Sequence, residues 1–106
     1  GSRSGPAVFY KYSCPESKEL ANYIQAELNH IHGSDQPAEP GDYYIFRSSR
    51  TTGALVEIGF LSHSKDQSRL KDSGYISTMA AAIGRGVLRF LQTISAHSGP
   101  APAPAE

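Results

Sequence analysis

The sequence has little of several features that would indicate a function directly. Its 106 residues include one cysteine and no tryptophan, and 10 Lys+Arg balance 10 Asp+Glu, so the formal net charge is zero. Cys14 alone makes neither an internal disulfide nor a thiolate metal site. Without a net positive charge or a run of like charges, the chain has little attraction for nucleic-acid phosphates. We therefore expect no nucleic-acid partner.

Long apolar runs are also missing. No segment approaches the roughly 20 consecutive apolar residues that cross a bilayer, and the chain as given does not begin with a charged segment followed by an apolar core. We expect no membrane span and no export signal in this sequence. Residues 1–2 resemble a cloning scar, and residues 95–106 alternate proline and alanine like a flexible tail. The predicted folding unit is 3–94.

The first third of the folding unit predicts a strand followed by a helix. Residues 7–12 are rich in β-branched and aromatic side chains, which is typical of a short strand. A capping box follows, in which Ser13 accepts from a first-turn N–H group and Glu16 reaches back, so a helix is predicted to start there. Apolar residues then recur at helical spacing as far as Ile31, and Gly33 is a suitable stop.

The remaining sequence predicts two strands and two helices. Residues 42–48 return to aromatic and β-branched side chains, and residues 54–61 are an apolar run typical of a strand covered on both faces, the most buried segment we expect. Residues 64–71 predict a polar helix; charges of alternating sign over 65–72 indicate a solvated face. A longer apolar stripe over 76–94 predicts a second helix. This order favours an α/β fold, a layered sheet with helices on both faces.

Glu57 is the most informative residue for function. A carboxylate within the run LVEIGF must be paired, bind a cation or have its pKa raised by desolvation. Near the end of a strand it is a candidate general acid/base; the alternative is a buried ion pair with Arg47, Arg50 or Arg85. Arg47 itself either recognises a substrate carboxylate, pairs with Glu57 or lies at the surface.

The other candidate residues are weaker. His30 and His32 are two residues apart, so their side chains diverge and do not resemble a helical zinc pair. His63 either lines the same cleft as the preceding strand or begins the next helix. Gly84 and Gly86 lie within the last predicted helix, where close packing explains them better than a phosphate-binding loop does. No set of three metal ligands with credible spacing can be assembled.

Four segments nevertheless follow one another in a familiar order: 17–28 (SKELANYIQAEL), 44–47 (YIFR), 55–62 (LVEIGFLS) and 80–87 (AAAIGRGV). In order and spacing they resemble the C-terminal half of the zinc-dependent N-acetylmuramoyl-L-alanine amidases, the amidase type 3 family. Residues 4–10 (SGPAVFY) are most similar to the germination-specific amidases of spore formers.

The resemblance implies a peptidoglycan hydrolase that cleaves the amide between N-acetylmuramic acid and the L-alanine of the stem peptide. In that family two His and one Glu hold a zinc ion that activates water, and the Glu of the VEIGF-like motif, here Glu57, is the catalytic acid/base. The three zinc ligands lie in the family's N-terminal half and have no counterpart in this chain. His63 replaces the family's Asn and is not assigned as a ligand. We expect the isolated chain to bind zinc weakly and to be inactive.

The implied partner is peptidoglycan or a muropeptide, and the implied location is outside the cytoplasm, at the cell wall or spore cortex. A second hypothesis is a non-catalytic module that binds peptidoglycan or a protein with half of an amidase fold. If the sheet is incomplete, its exposed edge is also a site for self-association.

Overall fold

A computed structural model of the chain describes residues 5–59 and 64–98. Its elements in chain order are β1 (Ala7–Tyr10), α1 (Pro15–His32), β2 (Glu39–Pro40), α2 (Tyr44–Arg47), β3 (Leu55–Glu57), α3 (Ser64–Leu70) and α4 (Ser73–Ser98). The α/β class predicted from the sequence is confirmed. Within the described residues, none of the helices combines the length and the apolar character that crossing a membrane requires.

β1 is the central strand of the sheet, whose described strands lie in the order β2-β1-β3. It runs parallel to β2, with Phe9 opposite Glu39, and antiparallel to β3, with Ala7 opposite Glu57. All four residues of β1 are buried, because both of its faces are covered.

The two faces of the sheet carry separate apolar clusters, since successive strand residues point to opposite sides. Val8 and Tyr10 pack against α1 and α4, in a cluster that also contains Ala21, Ile24, Leu28, Met79 and Ala82. Ala7 and Phe9 pack on the other side against Phe46 of α2. Helices therefore lie on both faces, as predicted, although α2 is only four residues long.

Gln25 completes the edge of β1 where β2 has not yet begun. Its side chain is 1% exposed, and its Oε1 accepts a hydrogen bond from the Val8 N–H at 2.9 Å. Its Nε2 donates to the Pro6 carbonyl oxygen at 3.3 Å and to Asn29 Oδ1 at 2.9 Å. A buried backbone N–H without a partner is costly, so the Gln25 side chain provides the hydrogen bond that a neighbouring strand would otherwise make.

α1 begins one residue later than the capping box predicts. Its N-cap is Cys14, which makes no side-chain capping hydrogen bond, because Pro15 occupies the first helical turn and leaves Ser13 outside the helix. The predicted end is confirmed: Gly33 has φ of +75° and donates its N–H to the Asn29 carbonyl oxygen at 2.7 Å.

The strand predicted over 42–48 is wrong, because this segment contains the helical turn α2. Tyr43 and Phe46 are three residues apart, and a strand would place them on opposite faces of the sheet. In the turn they lie on the same side, where the Tyr43 ring makes edge contacts with Phe9 at 5.4 Å and with Phe46 at 5.8 Å between ring centroids. Aromatic packing onto β1 therefore decides the local structure.

The expectation that residues 54–61 form the most buried segment is wrong for residues 54–59, which are half-buried; residues 60 and 61 lie outside the described part of the chain. β3 has only three residues, all half-buried, and β1 is its single partner strand within the described part of the chain. Leu55 and Val56 contact the clusters on the two opposite faces, which explains the unbroken apolar run. Its outer edge is unpaired within residues 5–59 and 64–98, and self-association through that edge stays a prediction.

α4 packs along α1 partly through the predicted stripe, which includes Met79 and Phe90, and partly through Ala82 and Gly86, which lie one position before the predicted Ile83 and Val87. Met79, Ala82, Gly86 and Phe90 are buried, whereas Val87 is 36% exposed. Gly86 gives the closest approach, since a Cβ there would lie 2.6 Å from the Ile24 Cα. The small residues Ala82 and Gly86 thus let the two helix backbones come together, and the larger side chains of Met79 and Phe90 are buried before and after them along α4.

The end of α4 differs from the predicted boundary at residue 94. The helix continues to Ser98, because no glycine or proline interrupts residues 95–98 before Gly99 and Pro100. The rest of the predicted tail and the predicted scar lie outside the described residues.

Candidate functional site around Glu57

Glu57 is the last residue of β3 and lies opposite Ala7. Because side chains alternate along a strand, it shares a face with Leu55, on the side of the sheet that also carries Phe9 and Phe46. It is half-buried. Glu57 therefore lies at the border of an apolar cluster, on the face of the sheet opposite α1 and α4.

No described residue forms a hydrogen bond or ion pair with the Glu57 side chain. Arg47 instead donates to both carboxylate oxygens of Asp42, at 2.9 and 2.7 Å. Arg85 donates to Glu27 at 3.0 Å, and this hydrogen bond lowers the pKa of Glu27. The alternative of a buried ion pair is therefore wrong among the described residues.

Arg47 lies apart from Glu57 and is already paired. It lines a shallow groove with Lys11 and Asp42, beyond the C-terminal end of β1, and Glu57 is not among the residues that line this groove. The hydrogen bond from Arg47 lowers the pKa of Asp42, and the same bond raises the pKa of the guanidinium. A substrate carboxylate that used the Nε and Nη2 donors of Arg47 would displace Asp42.

His30 and His32 are the histidine candidates that the structure describes. His63 lies outside the described residues. His32 packs against Gly5, where a Cβ would lie 2.5 Å from its Nε2. Burial lowers the pKa of His32, and the charge of Arg69 acts in the same direction. This histidine is a packed side chain at the end of α1 and faces the start of the described chain.

The described residues do not fit a zinc site. Within 5–59 and 64–98, no three side chains among His, Cys, Asp and Glu come together as metal ligands. Catalytic zinc sites take three protein ligands and leave one position for water or substrate. Glu57 by itself would supply a single carboxylate.

Asp66 is a structural residue that sequence reasoning missed. The alternating charges of 65–72 predicted a solvated face, yet Asp66 is 1% exposed. Its carboxylate accepts from the Gly5 N–H at 3.0 and 3.2 Å and pairs with Arg69 Nη1 at 3.1 Å. The prediction fails here because the Gly5 donor lies at the opposite end of the chain, where no local pattern reveals it.

Two contacts fix the residues that follow Glu57. The Tyr75 hydroxyl donates to the Ile58 carbonyl oxygen at 3.5 Å, and burial raises the pKa of this tyrosine. Gly59 lies directly against Asp66, since a Cβ at Gly59 would be 3.3 Å from the Asp66 Cβ. The glycine is therefore explained by close packing. Together these contacts tie the end of β3 to α3 and α4 and so position Glu57.

A cleft of about 320 Å³ opens beside the start of β3. Its apolar wall includes Ile45, Phe46 and Leu55. Phe46 and Leu55 belong to the cluster on the face that carries Glu57, so the cleft and the carboxylate lie on the same side of the sheet. The sequence offered no sign of this cleft, because its walls come from α1, α2 and the loop before β3.

The cleft carries more positive than negative charge. Its lining includes two cations, Lys11 and Arg50, and one carboxylate, Glu16. Arg50 also differs from the other described arginines, because it pairs with no carboxylate of the described residues. Each of the others forms an ion pair: Arg47, Arg69, Arg85 and Arg89. An exposed guanidinium with free donors thus faces a cleft.

Comparisons with known proteins agree on one family. A family model described as N-acetylmuramoyl-L-alanine amidase matches residues 1–89. The germination-specific N-acetylmuramoyl-L-alanine amidase of Bacillus subtilis is 32% identical over 89 residues, which are 82% of this chain and 38% of that protein. The chain thus spans well under half the length of this relative.

Solved structures give the same result. The CwlD amidase from Clostridioides difficile, solved in complex with the GerS lipoprotein, superposes with a TM-score of 0.82 at 30% identity, over 87% of this chain and 48% of that one. The amidase AmiC2 of Nostoc punctiforme superposes with a TM-score of 0.74 at 27% identity, over 84% and 49%. The fold therefore corresponds to about half of each of these structures.

Proposed function

The chain belongs to the N-acetylmuramoyl-L-alanine amidase family, and on that basis we propose that it contributes the catalytic carboxylate to hydrolysis of the amide between N-acetylmuramic acid and L-alanine in peptidoglycan. The chain spans 38% of the B. subtilis relative, and its described residues assemble no zinc site. We therefore assign Glu57 the proton transfers alone, with no metal-dependent step.

The observation that carries this proposal is the unpaired state of Glu57. Glu57 is half-buried at the border of the cluster formed by Ala7, Phe9 and Phe46, and no described cation or donor pairs with its carboxylate. Such a carboxylate can accept a proton from the attacking water and return it to the departing amine of L-alanine. An ion-paired carboxylate would do so less readily, because the cation favours its ionised form.

The surroundings of Glu57 support the same role. Proton transfer requires a carboxylate held within hydrogen-bond distance of the reacting atoms. The hydrogen bond of Tyr75 to Ile58 and the packing of Gly59 on Asp66 restrict the backbone immediately after Glu57. The strand end that carries the carboxylate is thus held by contacts with α3 and α4.

The substrate also determines the proposed location, outside the cytoplasm at the cell wall or spore cortex. The B. subtilis relative is named as germination-specific, and the C. difficile neighbour was solved with a lipoprotein. The name of the B. subtilis relative favours a role in germination for this chain.

Activity of the full gene product that contains this sequence tests the proposal. Release of muramic acid-free stem peptide from purified peptidoglycan should fall about 100- to 10,000-fold in Glu57→Gln, because the amide cannot act as a general base. Glu19→Gln is the matched control, since Glu19 is an exposed carboxylate on α1. Both variants should unfold at the urea concentration of the wild type.

Two outcomes would contradict these assignments. Unchanged turnover in Glu57→Gln would remove the catalytic assignment and favour a binding module. Zinc-dependent turnover by the isolated 106-residue chain would show that the residues of this chain suffice for a metal site.

A further inference from the structure

We propose that Asp66 is a positioning residue for Glu57, because its carboxylate replaces the backbone partner that the chain lacks just before β1. This inference rests on the proposed amidase function and adds to it a residue that acts through Glu57 without touching the substrate. It concerns the end of the β1–β3 pairing at which Glu57 lies.

The register of β1 and β3 leads to two glycines beyond the last described pair. Ala7 lies opposite Glu57 in this antiparallel pairing. Two residues further along, the same register would place Gly5 opposite Gly59. Gly5 has φ of +82°, a left-handed conformation that an extended strand does not adopt. The pairing therefore ends at Glu57, and the buried Gly5 N–H needs another acceptor.

Asp66 contacts both of these glycines. Its Oδ1 and Oδ2 accept from the Gly5 N–H at 3.2 and 3.0 Å. A Cβ at Gly59 would lie 3.3 Å from the Asp66 Cβ and 3.5 Å from its Cγ. One side chain thus bridges the residue two positions before Ala7 and the residue two positions after Glu57.

The surroundings of Asp66 make this bridge rigid. Asp66 is 1% exposed, and Arg69 Nη1 donates to its Oδ1 at 3.1 Å. A Cβ at Gly5 would lie 2.5 Å from His32 Nε2, so the glycine is enclosed between the histidine ring and the carboxylate. Hydrogen bonds to an ionised carboxylate are also stronger than those between neutral backbone groups.

The bridge bears on catalysis because Glu57 is the terminal residue of β3. Strand ends open locally more readily than the interior of a fold. A misplacement of about 1 Å lowers the rate of a reaction by about 100-fold when it alters the geometry of a catalytic group. Asp66 is buried and does not reach the substrate, so we expect its loss to lower kcat and to leave KM nearly unchanged.

Three variants of the full gene product separate positioning from stability. Asp66→Ala removes both acceptor oxygens, and kcat should fall about 10- to 100-fold with KM within about threefold. Asp66→Asn keeps one acceptor for the Gly5 N–H but loses the charge. Arg69→Gln removes the ion pair and leaves the carboxylate in place. The last two variants should keep kcat within about threefold at a temperature where they are folded, although both lose stability.

Hydrogen exchange of backbone amides in the 106-residue chain tests the same inference without turnover. The Val8 N–H donates to Gln25. Because N–H directions alternate along a strand, the N–H groups of Ala7 and Phe9 point to β3. In Asp66→Ala the exchange rate of Ala7 relative to Phe9 should rise at least about tenfold over the wild type. In the other two variants this ratio should stay within about threefold.

Equal acceleration at Ala7 and Phe9 would show that Asp66 only stabilises the fold, and it would overturn the inference. A loss of kcat in Asp66→Asn as large as in Asp66→Ala would do the same. If Asp66→Ala does not fold, Gly59→Ala makes the test from the strand side, since its Cβ would press on Asp66. A raised exchange ratio in that variant supports the inference, and an unchanged ratio overturns it.

The two kinds of measurement also keep this inference distinct from the proposed function. If Glu57→Gln retains full turnover, the proposed function fails. The exchange ratio then still decides whether Asp66 holds the strand end that carries Glu57.

Discussion

Replacing Gly86 by alanine tests the closest helix contact of the fold. A Cβ at this position would lie 2.6 Å from the Ile24 Cα, 2.9 Å from the Ile24 N and 3.0 Å from the Tyr23 carbonyl oxygen. All three neighbours are backbone atoms, so no side-chain rotation relieves the overlap. α1 and α4 would have to separate over part of their length.

The expected cost follows from two opposing effects. Overpacking of a well-packed interface costs about 1–3 kcal/mol, and the upper end applies here because the clash is with backbone. Alanine gains up to about 1 kcal/mol over glycine in a helix interior. The net loss in the free energy of unfolding is then about 2 kcal/mol. For a domain of this size it corresponds to a decrease in Tm of about 8–16 °C.

Gly84 provides the matched control, since a Cβ there meets nothing within 4 Å. Gly84→Ala should raise the free energy of unfolding by about 0.5–1 kcal/mol, the opposite sign for the same chemical change. Urea unfolding followed by circular dichroism at 222 nm measures both variants. If Gly86→Ala is as stable as wild type, or if both variants lose stability equally, the backbone contact inferred between α1 and α4 is wrong.

Three further perturbations probe buried polar groups and can be followed by the same urea unfolding. Asp66→Asn should lower the free energy of unfolding by about 2–4 kcal/mol, because it leaves Arg69 without its buried partner. Asp42→Asn, at the surface, should lower it by less than about 1 kcal/mol. Equal losses in the two variants would contradict the burial of Asp66. Gln25→Leu should cost about 2–3 kcal/mol, because the Val8 N–H loses its acceptor, and a neutral result would show that water replaces it. Burial lowers the pKa of His32, so the folded state binds its proton less well than the unfolded state and stability should fall below about pH 6.5. Between pH 7.5 and 5.5 the wild type should therefore lose more stability than His32→Gln, and parallel losses would exclude His32 as the cause.

The elements that the sequence predicted well are those whose signals are local. The period of α1, its stop at Gly33 and the strand that begins at Ala7 depend on residues close together in the chain. Local signals predicted a strand where the structure has α2. The contact of Tyr43 with Phe9 favours the helical turn there, and Phe9 is too distant in the sequence to enter a local pattern. Tertiary packing overrode a strand-like composition.

The site shows the same division. Glu57 could be predicted because a carboxylate inside an apolar run is conspicuous without any knowledge of the fold. Its lack of a cation partner among residues 5–59 and 64–98 could not be predicted, since it depends on the pairing of Arg47 with Asp42 and of Arg85 with Glu27. Long-range polar contacts were invisible to sequence analysis.

The central position of β1 has a consequence for how the chain folds. Both described strands that pair with β1 follow it in the chain, so this pairing cannot form until distant segments arrive; Phe9, for example, pairs with Leu55 of β3. Closing such a loop costs conformational entropy before any contact between its ends forms. α1 and α4 can therefore form from local contacts earlier than the sheet, which needs segments far apart in the chain. We therefore expect collapse of the helices to precede strand pairing, and removal of the first ten residues to prevent folding entirely rather than to shorten the domain.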